Sequence, residues 1–273
     1  MEHRKIAFIG AGNMAQAIIA GLMDSGYPAD HICVSAPSTT HRDALAARYG
    51  TTSLSDNVAC ARAADVVVLA VKPQLMAGVC EALAPHVDFS GKLVLSIAAG
   101  VSVARFRQLL GASLNIVRIM PNTPSLVGKG MSGLFAPAGV NDADRAFAAG
   151  LMESVGKLCW VADESQINGV IAAAGSAPAY FFLFMEAMQQ EAMRQGFDAD
   201  TARLLVQQAA SGAAALVEAS PDVALSQLRE NVTSKGGTTA EALRVFNERQ
   251  LGQAVADAMQ AAVHRAQEME SLF

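Results

Sequence analysis

The sequence has few charged residues, few aromatic residues and no cluster of Lys and Arg. Charged residues make up 16% of the 273 positions and aromatic residues 5%, while 52% are apolar. A chain this apolar buries enough surface to offset its ordering entropy, which excludes a disordered protein. The net charge of −5 provides no electrostatic footprint for nucleic acid or an anionic membrane. We therefore expect a globular protein with no nucleic-acid partner and no membrane partner.

The four cysteines and five histidines lack the spacing of a disulfide framework or a metal site. We expect reduced, mostly buried thiols, a cytoplasmic location and no metal. The polar N-terminus leads directly into an apolar strand, so no signal peptide is expected. High apolar content with few charges leaves more apolar surface than a monomer usually exposes, which predicts a homo-oligomer.

One uncharged stretch, from Ser165 to Met185, is long enough to cross a bilayer. It contains Asn168, Gly175, Ser176 and Pro178, and it has a run of Ala at 172–174. This composition favours a buried helix pair over a membrane span.

The chain divides into an α/β half and a helical half. Apolar, mostly β-branched runs predict strands at 5–9, 32–35, 65–71, 93–96 and 116–119, with helices between them and later edge strands at 131–136 and 158–161. This alternation predicts a parallel sheet with right-handed crossovers. After about Asp163 only helical periodicity remains, with Gly196 ending one helix, Asp198 or Asp200 capping the next and Pro221 opening another. We expect an α/β domain over 1–162 and an all-α domain over 163–273.

A glycine-rich turn, G-x-G-x-x-A, links the first strand to the first helix at Gly10. Gly10 permits the tight turn, Gly12 lets a pyrophosphate approach the backbone, and Ala15 lets the helix pack closely on the sheet. Asn13 and Met14 begin the helix, whose N-terminus favours phosphate. The turn predicts dinucleotide binding rather than a purely structural role.

The end of the second strand bears on the choice of dinucleotide. An NAD site usually has Asp or Glu there, but Ser35 is followed by hydroxyls, His41 and Arg42 before the first acid, Asp43. Arg42 suits a 2′-phosphate, which favours NADPH over NADH. Alternatively, Arg42 is a solvated helix charge.

Three further motifs have both a functional and a structural interpretation. Ala70-Val71-Lys72-Pro73 ends the central strand, where Lys72 faces a cofactor or merely caps carbonyls. The rigid loop Met120–Pro124 shapes a nicotinamide pocket or is a stiff turn. The run Gly175–Tyr180 is a pocket wall or a packing kink.

The segment from Asn231 to Thr239 has four hydroxyl side chains and two glycines before a predicted helix, more than one helix cap needs. Ser234 or Thr238 is expected to cap that helix, and Glu241 completes a capping box with Thr238. Free N–H groups from Gly236 to Thr239 are expected to form a nest that binds a substrate carboxylate.

Together, five motifs in order resemble the pyrroline-5-carboxylate reductase family. They are Gly10-x-Gly12-Asn13-Met14-Ala15, Ala70-Val71-Lys72-Pro73, Met120-Pro121-Asn122-Thr123-Pro124, Gly175-Ser176-x-Pro178-Ala179-Tyr180 and Val232-Thr233-Ser234-x-Gly236-Gly237-Thr238-Thr239. The resemblance implies a Rossmann domain followed by a helical domain that interlocks into a homodimer, with the dimers assembled into decamers in several members. It implies reduction of 1-pyrroline-5-carboxylate to L-proline by NADPH or NADH, the last step of proline biosynthesis.

The resemblance also implies roles for individual residues. Together with Arg42, which the end of the second strand indicates, the expected cofactor contacts are Gly10, Gly12, Asn13, Met14, Ser35, Asn57, Ala70, Val71, Lys72, Pro73 and Ala98. Expected substrate contacts are Asn231, Val232, Ser234, Gly236, Gly237, Thr238 and Glu164, with Thr239 as the catalytic hydroxyl on the ring nitrogen. Two positions depart from the family pattern, Ala177 in place of Gly and Lys235 in place of Pro, and both bear on pocket shape.

The implied chemistry needs little from the protein, since a protonated cyclic imine accepts hydride readily. A hydroxyl at the nitrogen and backbone capture of the carboxylate suffice, which suits a chain without an obvious catalytic His. The alternatives are another imine reductase, a 3-hydroxyisobutyrate-type hydroxyacid dehydrogenase or a dinucleotide-binding regulator. The hydroxyacid class needs a helix Lys, and no Lys occurs between Trp160 and Gly196.

Overall fold

Residues 2–272 are described by a computed structural model of the chain. Eight strands form one sheet in the order β3-β2-β1-β4-β5-β6-β7-β8. The strands are β1 (Ile6–Ile9), β2 (Ile32–Ser35), β3 (Thr52–Leu54), β4 (Val66–Leu69), β5 (Leu93–Ser96), β6 (Ile116–Met120), β7 (Gly130–Phe135) and β8 (Gly156–Trp160). The first six strands have the order of the Rossmann fold, as the α/β prediction requires.

Helices connect and follow these strands. They are α1 (Asn13–Asp24), α2 (Thr39–Tyr49), α3 (Asn57–Arg62), α4 (Pro73–Leu83), α5 (Val103–Leu110), α6 (Asp142–Glu153), α7 (Gln166–Val170), α8 (Ala177–Arg194), α9 (Ala199–Ala219), α10 (Leu225–Asn231), α11 (Thr238–Glu248) and α12 (Leu251–Leu272). A π-helical turn, Ile171–Gly175, joins α7 to α8.

The sheet has a hydrophobic core on each face, because helices cover both faces of a parallel sheet. Alternate residues of β1 pack on opposite faces of the sheet. Ile6 and Phe8 lie in one hydrophobic cluster, and Ala7 and Ile9 lie in the other. All four residues of β1 are buried. This explains why the inner strands can be recognised as continuous apolar runs.

The predicted strands are all present, with one correction to the sheet. Strands β1 to β6 and the pair β7–β8 are parallel, but β7 runs antiparallel to β6. The loop 121–129 between them is too short for a crossover helix, so the chain reverses directly. Strand β3 and helices α3 and α6 were not predicted from the sequence.

After Trp160 the described residues form helices only, as predicted. Gly196 has a φ of +104° just after α8, and Asp198 caps α9 by accepting a hydrogen bond from the Thr201 amide. The prediction for Pro221 is wrong, because α10 begins at Leu225 and residues 221–224 form its lead-in turn.

The described chain forms two compact units. The first comprises the residues up to Pro178 together with those from Ala261 onward, and the second is Ala179–Gln260. The second unit therefore interrupts the first in sequence. The second unit begins within α8 and ends within α12, so the chain passes between the two units inside these helices.

The stretch Gln166–Arg194 is long and apolar enough to cross a membrane by length and composition, which is weak evidence by itself. The prediction of a buried helix pair here is wrong for the single chain, since only 28% of its most apolar window is buried. Phe181, Phe182 and Leu183 are between 62% and 68% exposed. The described helices of this chain leave that apolar surface of α8 uncovered.

Candidate active site

The turns after β1, β2 and β4 meet at one edge of the sheet. The Gly10 amide donates a hydrogen bond to the Ser35 carbonyl (2.8 Å), and the Ala70 amide donates to the Ile9 carbonyl (2.9 Å). β1 lies between β2 and β4, which is where the strand order reverses. Open α/β sheets bind ligands at such a switch point, beyond the carboxyl ends of the strands.

The two glycines of the first turn have different structural roles. Gly10 has a φ of +113°, and a Cβ there would lie 2.5 Å from the Ala70 carbonyl oxygen. A Cβ at Gly12 would meet nothing within 4 Å. Gly12 is the N-cap of α1, and neither a side-chain cap nor an acidic residue occupies that terminus. The amides of Asn13 and Met14 in the first turn thus lack helical acceptors, and the space beside Gly12 is open, an arrangement that fits a pyrophosphate.

Ser35 and Asn57 join the end of β2 to the start of α3. The Ser35 hydroxyl donates to Asn57 Oδ1 at 2.6 Å, and Asp56 caps α3 by accepting from the amides of Val58 and Ala59. Ala98 follows β5 at the same edge and is 6% exposed. The structure thus brings Ser35, Asn57 and Ala98 to the edge that holds Gly10.

Arg42 lies over the loop that leaves β2. Its Nη1 donates to the Ala36 carbonyl (2.7 Å), and its Nε lies 3.3 Å from Asp43 Oδ1. Ser38 caps the N-terminus of α2, whose first turn carries no acid. A guanidinium beside a helix N-terminus that carries no acidic residue is an environment that suits a phosphate group.

Lys72 is exposed at the start of α4, where it is the N-cap, and Pro73 is the first helical residue as predicted. Val71 and Ala70 are half-buried beneath it. These residues follow β4, so they flank the switch point beside Gly10.

The segment 231–239 lies in the second unit and joins α10 to α11. Gly236 has a φ of +74°, and the Gly237 amide donates to the Ser234 carbonyl at 3.0 Å. The capping-box prediction is wrong because Gly237 is the N-cap, which makes Thr238 the first helical residue. The Glu241 carboxylate instead pairs with Arg244.

This turn leaves most of the predicted substrate contacts exposed. The N–H of Gly237 is not free, but α11 has no side-chain cap, so the amides of its first turn at Thr238 and Thr239 lack helical acceptors. Asn231 accepts from Gln227 at 2.9 Å. The predicted substrate contacts that are exposed are Asn231, Val232, Ser234, Gly236, Thr238 and Thr239.

Glu164 lies in the first unit and is held by two donors. Its Oε1 accepts from the Val103 amide (2.8 Å) and from Arg118 Nη1 (2.9 Å). Arg118 is 1% exposed and also pairs with Glu270 of α12 at 2.8 Å. This network was not predicted from the sequence, although a lone charge inside the apolar run 116–119 indicates a buried partner.

Asn122 connects the rigid loop after β6 to the π-helical turn. It is 8% exposed, donates to the Ala174 carbonyl (3.0 Å) and accepts from the Met131 amide (2.8 Å). π-Helical turns occur frequently at functional sites. No group of three or more His, Cys, Asp or Glu within residues 2–272 is arranged to hold a metal ion.

Comparison with known proteins gives consistent matches along the chain. A family model described as pyrroline-5-carboxylate reductase dimerisation matches residues 164–269, and one described as coenzyme F420-dependent NADP oxidoreductase matches residues 5–100. A pyrroline-5-carboxylate reductase of Vibrio alginolyticus is 64% identical over 273 residues, covering all of both chains.

Two solved structures extend this likeness to three dimensions. A pyrroline-5-carboxylate reductase of Coxiella burnetii superposes with a TM-score of 0.93 at 41% identity, covering 98% of this chain and 99% of the other. The enzyme of Plasmodium falciparum, solved with NADP bound, has a TM-score of 0.87 at 28% identity and covers 99% of both chains.

Proposed function

The chain belongs to the pyrroline-5-carboxylate reductase family, and from this premise we propose how its residues reduce 1-pyrroline-5-carboxylate to L-proline. Members of this family are NAD(P)-dependent oxidoreductases that act on a cyclic imine in proline biosynthesis. The full-length identity of 64% carries the assignment, because it spans both the dinucleotide turn and the segment 231–239.

We propose NADPH as the preferred cofactor, with NADH as a poorer substitute. When bound, the reduced nicotinamide supplies the hydride. The pyrophosphate is expected at the start of α1, against Gly10, Gly12, Asn13 and Met14. Arg42 is expected to pair with the 2′-phosphate. The remaining contacts are assigned to Ser35, Asn57, Ala70, Val71, Lys72, Pro73 and Ala98.

The segment before α11 is proposed to bind the substrate. The amides at the start of α11, including that of Thr238, bind the carboxylate, supported by the helix dipole. Thr239 places its hydroxyl on the ring nitrogen and acts as the catalytic group, stabilising the nitrogen as hydride reaches the neighbouring carbon. The other proposed contacts are Asn231, Val232, Ser234, Gly236 and Gly237.

Glu164 stays in the proposed substrate-binding group. Its carboxylate is fixed by Arg118 and the Val103 amide, so it offers an oriented acceptor rather than a mobile base. The proposed domains are a Rossmann domain over 1–162 and a helical substrate-binding and dimerisation domain over 163–273. Matches of family models to residues 5–100 and 164–269 support that division.

We further propose a cytoplasmic homodimer, with a decamer assembled from such dimers as the higher assembly. The exposed apolar surface of α8, at Phe181 to Leu183, falls within the residues matched by the dimerisation model. A second copy of the chain is a better partner for this surface than a membrane, since α9 also exposes Leu204 and Leu205. Light scattering of the purified protein, without detergent, tests this assembly.

The experiment that tests the function is oxidation of NADPH by purified protein with 1-pyrroline-5-carboxylate, with NADH in parallel. The absorbance of the reduced nicotinamide reports turnover. Rapid turnover that yields L-proline, faster with NADPH at low concentration, is the expected result. Dinucleotide binding without turnover would favour another imine, a 3-hydroxy acid or a regulatory role instead.

A further inference from the structure

Two cysteines face each other between β2 and α3. Cys33 lies in β2, in register with Ala7 of β1 and Thr52 of β3, while Cys60 lies in α3 and is fully buried. Their Sγ atoms are 2.6 Å apart, and both are free thiols. None of the five family motifs described above includes these residues.

The cysteine pair is next to the pair formed by Ser35 and Asn57. Cys33 and Ser35 are two residues apart in a strand, so their side chains lie on the same face. Asn57 and Cys60 are three residues apart in a helix, so they also share a face. The strand and the helix are therefore bridged twice, once between sulfur atoms and once between the Ser35 hydroxyl and Asn57 Oδ1.

We propose that Cys33 and Cys60 form a redox-reversible modification site, in which a peroxide converts the two thiols into a disulfide. The Cys33 thiolate attacks one peroxide oxygen, the O–O bond breaks, and water leaves after protonation, so Cys33 becomes a sulfenic acid. The Cys60 sulfur then attacks the Cys33 sulfur and releases the second water. In total, two thiols and one hydrogen peroxide give one disulfide and two waters, and a small dithiol reverses the change.

The surroundings of the two sulfurs assign these two roles. Cys33 is half-buried and therefore reachable by a small oxidant, whereas Cys60 has no exposed surface. The Cys60 thiol donates to Cys33 Sγ, and this hydrogen bond holds the pKa of Cys33 below its ordinary value, against the opposing effect of burial. The same hydrogen bond and burial raise the pKa of Cys60. The more acidic, more exposed thiol is the one that attacks.

Disulfide formation requires only a small movement. A disulfide has an S–S bond of about 2.05 Å, and the two sulfurs already face each other within contact distance. Intracellular disulfides are commonly transient and redox-sensing rather than structural. The bond would tie α3 to β2 within one helical turn of Asn57.

The consequence for activity rests on the proposed cofactor site. A dinucleotide ribose that hydrogen-bonds Ser35 or Asn57 has to reorient this pair, and the neighbouring disulfide restricts that reorientation. We therefore expect oxidation to raise KM for NADPH severalfold, while kcat at saturating NADPH stays within about twofold.

Peptide mapping tests the site itself. The intact, full-length enzyme is treated with hydrogen peroxide, quenched with catalase, denatured, alkylated and digested for mass spectrometry. The expected product is a cross-linked peptide pair containing Cys33 and Cys60 that dithiothreitol separates, while Cys80 and Cys159 remain alkylated. Alkylation of all four cysteines, or over-oxidation of Cys33 without a cross-link, would overturn the proposal.

Variants distinguish the site from its proposed consequence. Cys33→Ser is expected to abolish both the cross-link and the rise in KM, whereas Cys159→Ser, another half-buried thiol, should leave both intact. A cross-link with unchanged KM would support the disulfide and contradict its coupling to the cofactor site. Failure of the reduced enzyme to bind NADPH would instead overturn the proposed function, whatever the cross-linking result.

Discussion

Asn122 donates a hydrogen bond to the carbonyl of Ala174, and this carbonyl is the one that residue 178 would pair with in a regular α-helix. Residue 178 is Pro, which has no N–H. The loop after β6 therefore supplies the donor that the helix lacks. The bond thus joins the loop Met120–Pro124 to the residue that immediately precedes the motif Gly175–Tyr180.

Asn122→Ala should lower the free energy of unfolding by about 1–3 kcal/mol, because it leaves the Ala174 carbonyl and the Met131 amide without their partners. Asn122→Asp keeps an acceptor for the Met131 amide but removes the donor to the Ala174 carbonyl. Its loss of stability therefore reports the bond to Ala174 alone. Urea unfolding of both variants measures these losses. Unchanged stability in both would contradict a bridging role for Asn122.

Glycine-to-alanine changes at the first turn should separate folding from cofactor binding. Gly10→Ala is expected to cost roughly 2–4 kcal/mol of stability, because φ is positive there and the new methyl meets the Ala70 carbonyl. Gly12→Ala places its methyl in open space, so stability should fall by only about 1 kcal/mol while Kd for NADPH rises at least tenfold. Thermal unfolding and NADPH titration check both. Normal NADPH binding by Gly12→Ala would contradict the placement of the pyrophosphate against Gly12.

Arg42→Ala should weaken NADPH roughly 10- to 100-fold and leave NADH nearly unchanged, because only NADPH carries the 2′-phosphate. Arg48→Ala is the matched control, since Arg48 lies in the same helix but over the Tyr49 ring. KM for each dinucleotide is the measurement. Equal losses for NADPH and NADH would remove Arg42 from the phosphate site.

Thr239→Ala should lower kcat by about 10- to 100-fold with little change in Kd for NADPH, since the hydroxyl acts on the substrate nitrogen only. Thr239→Ser retains the hydroxyl and should recover most of the rate. Steady-state kinetics and separate NADPH titrations measure the two effects. A normal kcat in the alanine variant would exclude Thr239 as the catalytic hydroxyl.

Asp144 should make folding stability depend on pH in the acid range. Burial acts to raise its pKa, but hydrogen bonds from Arg4 and Asn115 outweigh burial and hold the pKa of Asp144 below its ordinary value. The stabilisation is then complete above about pH 4, near the pKa of an unfolded Asp, and is lost as pH falls through the lowered native pKa. Asp144→Asn should be less stable at pH 7 and show a flatter dependence below about pH 4 in urea unfolding. A parallel pH profile for the two proteins would contradict this.

The Rossmann part of the fold could be predicted because its signals are local. The strands β1, β4 and β5 are buried throughout and appear as unbroken apolar runs, and Gly10 needs the one backbone conformation that favours glycine. Strand β3 has only three residues, none of them fully buried, so it leaves no such signal. The reversal at β7 depends on loop length rather than on the strand itself.

The candidate site was less predictable because its contacts are long-range. The partner of the Ala174 carbonyl and the two acids on Arg118 lie tens of residues away in sequence. The capping-box prediction was wrong because a turn between Ser234 and Gly237 makes Gly237, rather than Thr238, the N-cap of α11. The role of Thr239 was implied by family resemblance, since physics alone does not distinguish it from another exposed hydroxyl.

Arg118 is synthesised long before Glu270, its partner in the last turns of α12. Until Glu270 has been translated, this guanidinium either stays out of the core or is buried with Glu164 as its carboxylate partner, and burying an under-compensated cation is costly. A chain that terminates early, before Glu270, keeps that penalty permanently. Prematurely stopped products should therefore be less stable around β6 than finished ones, which gives cellular proteases a means of recognising them.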